Sequence, residues 1–154
     1  MPKLKPTYFR NIIFGAEDSL VSTVGVLFGV ATANPSKSLI LLTGLLVISV
    51  EALSMGVGAY LSETSENELK HKYSNTPMFS GAFMFISYFL AGFIPLAPYL
   101  LVNVYYARFM SVVLSLLALF VLGFIPQSSI KAAVRMVAIA GAAICLGFII
   151  AHLA

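Results

Sequence analysis

Residues 39–62 read LILLTGLLVISVEALSMGVGAYLS, a run of 24 residues holding one carboxylate, Glu51, and no lysine or arginine. A helix needs about 20 apolar residues to cross the hydrocarbon core of a bilayer, so this stretch is a membrane span with an acid inside it. The pattern repeats along the chain. Charges and turn residues bound further spans at 11–33, 79–102, 107–125 and 131–153. The connectors between the spans are 34–38, the polar stretch 63–78, 103–106 and 126–130. Of 154 residues, 60% are hydrophobic and 10% charged, and no Asp, Glu, Lys or Arg occurs between Lys72 and Arg108. A soluble domain carries roughly a quarter charged residues, so a soluble enzyme and a nucleic-acid-binding protein are both excluded. The apolar runs are continuous rather than short and alternating, which excludes a transmembrane barrel. The expected fold is all-α, with residues 1–154 forming a single polytopic membrane domain of five helices.

Five spans put the termini on opposite faces. With the N-terminus in the cytoplasm, Lys3, Lys5, Arg10, Lys70, Lys72, Lys131 and Arg135 lie inside, and Lys37 and Arg108 lie outside. The positive-inside rule therefore selects N-in and C-out. Lys3, Lys5 and Arg10 followed by residues 19–30 and Ala31-Thr32-Ala33 have the outline of a signal peptide. Glu17 and Asp18 interrupt that apolar run, so the segment reads as the first span. The lone cysteine, Cys145, can form no internal disulfide. No internal repeat is visible, and an inverted repeat is hard to build from five spans. Symmetry would have to come from oligomerisation.

Three of the six acidic residues, Glu17, Asp18 and Glu51, fall inside the spans. A carboxylate in the bilayer costs several kcal/mol, so it faces a cavity or a partner and marks an ion or proton pathway. By depth, no basic residue matches them, since Arg10 snorkels toward the headgroups. At 1.5 Å per residue, Asp18 lies roughly 10 Å above the inner end of its span and Glu51 roughly 15 Å above the same face. Antiparallel neighbours would bring the two to similar depth. Glu51, Met55 and Gly58 share a helix face at i, i+4 and i+7, and Gly15, Ser19, Ser22, Gly25 and Gly29 form a small-residue stripe on the first span. Two carboxylates and a thioether suit Fe²⁺ or a neighbour in the series better than Mg²⁺ or Ca²⁺. Glu17 points about 100° away from Asp18 around the helix and also fits an interfacial role. Met78, Met84, Met110 and Met136 lack acidic company and read as packing, His71 as part of a solvated charge run, and Cys145 and His152 as structural. Pro95 and Pro98 are expected to kink or end the third span.

At these residues the chain resembles the vacuolar iron transporter family, in its short prokaryotic form. FGAEDSLVSTVG at 14–25 is similar to the family's first-helix motif, and VEALSMGVGAYLS at 50–62 to its second. Residues 94–99, IPLAPY, match its proline-bearing third helix, and Leu122-Gly123 with the Gly-rich last span match the fourth and fifth. The resemblance implies a five-helix homodimer that exports Fe²⁺, and often Mn²⁺, from the cytosol in exchange for protons, with metal bound between helices near the dimer axis. It places Asp18, Glu51 and Met55 on the membrane metal site, with Glu17 as an addition. Two departures stand out. Phe148 occupies a position where the family often has Tyr, and the loop after span two is too short for the glutamate-rich three-helix module of larger members. Glu63, Glu66 and Glu68 read either as a remnant that concentrates cations at the entrance or as a solvated helix extension.

The expected activity is therefore proton-coupled export of a divalent transition metal across a cell membrane, plasma or inner. The metal is the substrate and the proton the counter-ion, with no resident cofactor. Expected partners are the lipid bilayer, the metal ions and protons, and a second copy of the chain, with no nucleic acid. Low dielectric favours the protonated, neutral form of a carboxylate, and metal binding takes the deprotonated form, so exchange follows from shared ligands. A different class of function is a small membrane interaction subunit whose buried acids pair with a partner's basic residues. An organic-cation transporter would want aromatic lining beside Glu51, and only Tyr60, Phe14 and Phe28 suggest themselves.

Overall fold

The computed structural model describes residues 6–71, 76–127 and 129–153. It contains five helices: α1 (Pro6–Ala33), α2 (Lys37–Leu69), α3 (Thr76–Leu101), α4 (Val104–Gln127) and α5 (Ile130–Leu153), with no strand among the described residues. Each is long and apolar enough to cross a membrane, which satisfies the demand that every backbone group inside a bilayer be bonded within its own segment. The chain is thus an integral, multi-pass membrane protein. The basic residues Lys3, Lys5 and Lys72, counted for orientation, lie outside the described residues.

The largest difference from the sequence reading is at the end of the second span. α2 runs 33 residues to Leu69, so the segment 63–69 is helix rather than connector. At about 1.5 Å per residue α2 is about 50 Å long, against roughly 30 Å of hydrocarbon. Its last turns therefore stand beyond the bilayer and carry Glu63, Glu66 and Glu68 on helix rather than loop. α3 continues through Pro95 and Pro98 to Leu101, within one residue of the expected end of the third span. Proline removes a backbone donor, and side chains of other helices bond this stretch. Ser111 Oγ donates to the Pro95 carbonyl at 2.7 Å, and Lys37 Nζ donates to the Leu100 carbonyl at 3.1 Å.

α1 touches every other helix, and α3 lies against α1, α2 and α4. α2 rests mainly on α3, while α5 packs on α1 and α4. Lipid is as apolar as leucine, so burial of oil does not drive this packing. Close approach of small residues and interhelical hydrogen bonds do. The small-residue stripe of α1 spirals and serves two neighbours. Gly15 and Ser19 face α3, where Ser19 Oγ donates to the Tyr88 carbonyl at 2.7 Å. Gly25 and Gly29 face α5, and a Cβ on Gly29 would sit 3.1 Å from the Gly147 carbonyl oxygen. Leu27, Ala31, Ile40, Ile48, Leu96 and Tyr99 form the core between α1, α2 and α3.

Candidate metal site

Asp18 on α1 and Glu51 on α2 come together inside the bundle, close enough to interact electrostatically. Both are half-buried. α3 completes the cluster with Tyr88, a residue the sequence reading passed over. Its side chain is fully buried. Its hydroxyl donates to Glu51 Oε2 and sits 2.6 Å from Ser22 Oγ on α1. With the Ser19 bond to the Tyr88 backbone, α1, α2 and α3 are tied at one level. One helical turn (i, i+4) separates Asp18 from Ser22, which is why both reach the same neighbour. The only signal in the sequence was a tyrosine inside an apolar span, and such residues usually seek a hydrogen-bond partner when buried.

Two like charges held together in a medium of low dielectric repel strongly. Among the described residues the one ion pair in contact is Lys70 with Glu66, at the end of α2, so no lysine or arginine contacts Asp18 or Glu51. A cation or a proton is what this pair can accept. Among the described residues no cluster of three or more His, Cys, Asp or Glu forms within the chain. One copy thus offers two carboxylates and a hydroxyl at this level, fewer donors than the octahedral set divalent ions often take.

Met55 lies one turn along α2 from Glu51. It lines a cavity of about 630 Å³ between α1, α2 and α3, together with Met84, Glu63 and Glu66. Met84, read from the sequence as packing, is buried and brings a second thioether to this space. Glu63 and Glu66 are i and i+3 and share a face. Glu68 is not among the lining residues, and Glu66 also pairs with Lys70.

Glu17 goes elsewhere. It lines a separate cavity of about 300 Å³ between α1, α4 and α5, with Arg10 and Arg135. It interacts electrostatically with Asp18, its neighbour in sequence, and with Arg135. A basic residue therefore does reach the depth of one of the three acids. α5 runs parallel to α1 and packs on it, and the long arginine side chain covers the remaining distance. Phe148 stands apart from the carboxylates, stacked on His152 and 6.0 Å from the Phe28 ring. The hydroxyl at Glu51 comes from α3 instead.

Comparison with known proteins places this arrangement. The family model described as the VIT family matches residues 9–76 and 68–152, two segments that meet at the connector between α2 and α3. Vacuolar iron transporter 1 of Arabidopsis thaliana is 26% identical over 215 aligned positions, covering 93% of this chain and 86% of that protein. Those 215 positions exceed the 154 residues here, so the Arabidopsis protein carries sequence that this chain lacks. A vacuolar iron transporter of Centaurea cyanus is 40% identical over 57 residues, and vacuolar iron transporter 2 of Oryza sativa subsp. japonica 35% over 63. These shorter matches cover 37% and 41% of this chain, but 23% and 26% of the relatives' own lengths.

Proposed function

Because the chain belongs to the VIT family, whose model matches nearly all of it in two segments, we propose that it carries iron across a membrane as Fe²⁺, in exchange for protons. It is a transporter of metal ions rather than an enzyme. The observation that supports the Fe²⁺ and proton reading is the interaction of Asp18 with Glu51, the latter bonded to Tyr88 and through it to Ser22, with no lysine or arginine in contact with either acid among the described residues. Binding a divalent cation takes both carboxylates deprotonated, and loss of the metal lets protons return. Mn²⁺ is a second substrate, because carboxylate oxygens suit it. A homodimer with the pair near its axis doubles the donor set that one copy leaves short. Export from the cytosol is the direction that the family resemblance implies, and a plasma or inner membrane is the proposed location.

The test is uptake of Fe²⁺, Mn²⁺, Zn²⁺ and Ca²⁺ into proteoliposomes with and without a pH gradient. Fe²⁺ and Mn²⁺ should move and carry protons the other way, with Ca²⁺ slow. If no divalent ion moves under any gradient, the buried acids serve a protein partner instead.

Glu63 and Glu66 face the Met55 cavity and stand where α2 leaves the bilayer, so they concentrate cations at its mouth. Changing both to Gln should raise apparent KM about 2- to 5-fold, the scale of exposed charge interactions, and less at high ionic strength. Glu68→Gln should transport like wild type. Complete loss of transport in Glu63→Gln/Glu66→Gln with normal membrane insertion would mean that these two form a required site.

A further inference from the structure

The cavity between α1, α4 and α5 is separate from the one that Met55 lines, and Arg10 and Phe14 border both. Its lining includes two arginines, Arg10 and Arg135, and one carboxylate residue, Glu17, which interacts electrostatically with Arg135. Both arginines are exposed, and among the described residues neither makes an ion pair in contact. Glu17 offsets one of the two positive charges that line this space of about 300 Å³, and one is left in excess. The rest of the lining is apolar: Phe9 and Phe14, 39% and 50% exposed, with Ile13 and Met136. Ala132, in the first turn of α5, and Gly123, near the C-terminal end of α4, also line the space, so the two helix dipoles oppose each other there and the side-chain charges set the field. α1 and α5 are both odd-numbered spans that run the same way. Arg10 and Arg135 each lie within the first two turns of their helix, and the cavity therefore opens near one membrane surface.

We propose that this cavity binds the phosphate of a singly anionic phospholipid in the adjoining leaflet, with Arg10 and Arg135 on the phosphate oxygens and the glycerol and upper acyl chain along Phe9, Ile13, Phe14 and Met136. The charge count matches the ligand. Two guanidiniums and one carboxylate leave a net charge of one positive unit, and a phosphodiester carries one negative unit. Arginine pairs with phosphate bidentately, which adds geometric selection. A zwitterionic headgroup brings an ammonium that the same field repels. The apolar floor is what favours a lipid over a soluble phosphate, because a free ion leaves those rings uncovered.

The experiment uses the purified full-length protein in detergent, titrated with phosphatidylglycerol, phosphatidylcholine or sodium phosphate. Bound lipid is read by native mass spectrometry and by the shift in Tm. Phosphatidylglycerol should bind about tenfold or more tighter than phosphatidylcholine, the factor that 1.4 kcal/mol corresponds to, and sodium phosphate should give no comparable Tm shift. Arg10→Gln/Arg135→Gln should lose the preference, while Arg10→Lys/Arg135→Lys and Lys70→Gln, the latter at the same membrane end but outside the cavity, should keep it. Glu17→Gln, which raises the net charge of the cavity without touching either arginine, should strengthen phosphatidylglycerol binding. Equal affinity for the two lipids in the wild type overturns the proposal, and so does a preference retained in the double Gln variant. Stabilisation by sodium phosphate equal to that by phosphatidylglycerol overturns the assignment to a lipid. Binding is read without transport, so failure of the transport reading leaves this result standing.

Discussion

Asp18→Asn or Glu51→Gln should abolish both metal movement and the counterflow of protons. Each variant keeps shape and polarity but removes one of the two carboxylates that interact between α1 and α2, along with the proton exchange proposed for it. Insertion and helix content should be unchanged, because each amide still hydrogen-bonds. Tyr88→Phe is the graded companion. It keeps the buried ring and deletes the hydroxyl that bridges Glu51 and Ser22. A hydrogen bond to a charged group contributes about 1.5–3 kcal/mol, so transport should fall roughly 10- to 100-fold. Met55 tests softness rather than charge. Met55→Ala should reduce Fe²⁺ transport more than Mn²⁺ transport, and Met55→Leu separates lost ligation from a cavity by keeping the apolar volume. Normal transport by Asp18→Asn would remove α1 from the site. A Met55→Leu variant indistinguishable from wild type for every metal would make Met55 packing, and the cavity with Met84, Glu63 and Glu66 an entrance rather than a ligand shell.

The second large effect is on assembly, and it sits where α2 crosses α3. A Cβ on Gly81 would lie 2.8 Å from the Gly56 carbonyl oxygen and 3.1 Å from Tyr60 Cβ, and one on Gly56 would lie 2.9 Å from Phe85 Cβ. The obstruction is partly backbone, which cannot rotate away as a side-chain tip can. Gly81→Val must therefore push the helices apart, and overpacking of this kind costs about 1–3 kcal/mol or more. It also draws Glu51, carried by α2, away from Tyr88, carried by α3. The expected result is a lower Tm in detergent, a reduced yield of folded protein, and transport loss in what remains. Gly58→Ala is the control on the same helix, because a Cβ there meets nothing within 4 Å. It should leave Tm unchanged or slightly raised. Wild-type stability and transport in Gly81→Val would show that the α2–α3 contact does not hold the site together.

Five spans, their order and the presence of three buried acids follow from the chain alone. Hydropathy is a local property, and a bilayer admits few solutions to an apolar run of this length. The depth argument that paired Asp18 with Glu51 is also local arithmetic, the rise per residue counted from two span ends, and the structure brings those two together. Where the chain left the bilayer was harder to read. Nothing in 63–69 breaks a helix, and polarity alone was taken for a loop, yet α2 continues to Leu69.

What only the tertiary structure decided is which face of each helix meets which neighbour. That depends on the rotation and crossing of helices far apart in sequence, quantities that no window of residues contains. Tyr88 lies 37 residues from Glu51 and 66 from Ser22, so its place at the site is set by how α3 sits between α1 and α2. The same rotation turns Glu17 from the metal side toward Arg10 and Arg135, and turns Met84 from presumed filler into lining beside Met55. It divides one stripe of small residues on α1 between α3 and α5. Sequence periodicity could place residues on a common face. Close packing at small residues and the Ser19 and Tyr88 hydrogen bonds are what hold three helices at one rotation and bring Asp18, Glu51 and Tyr88 to one level.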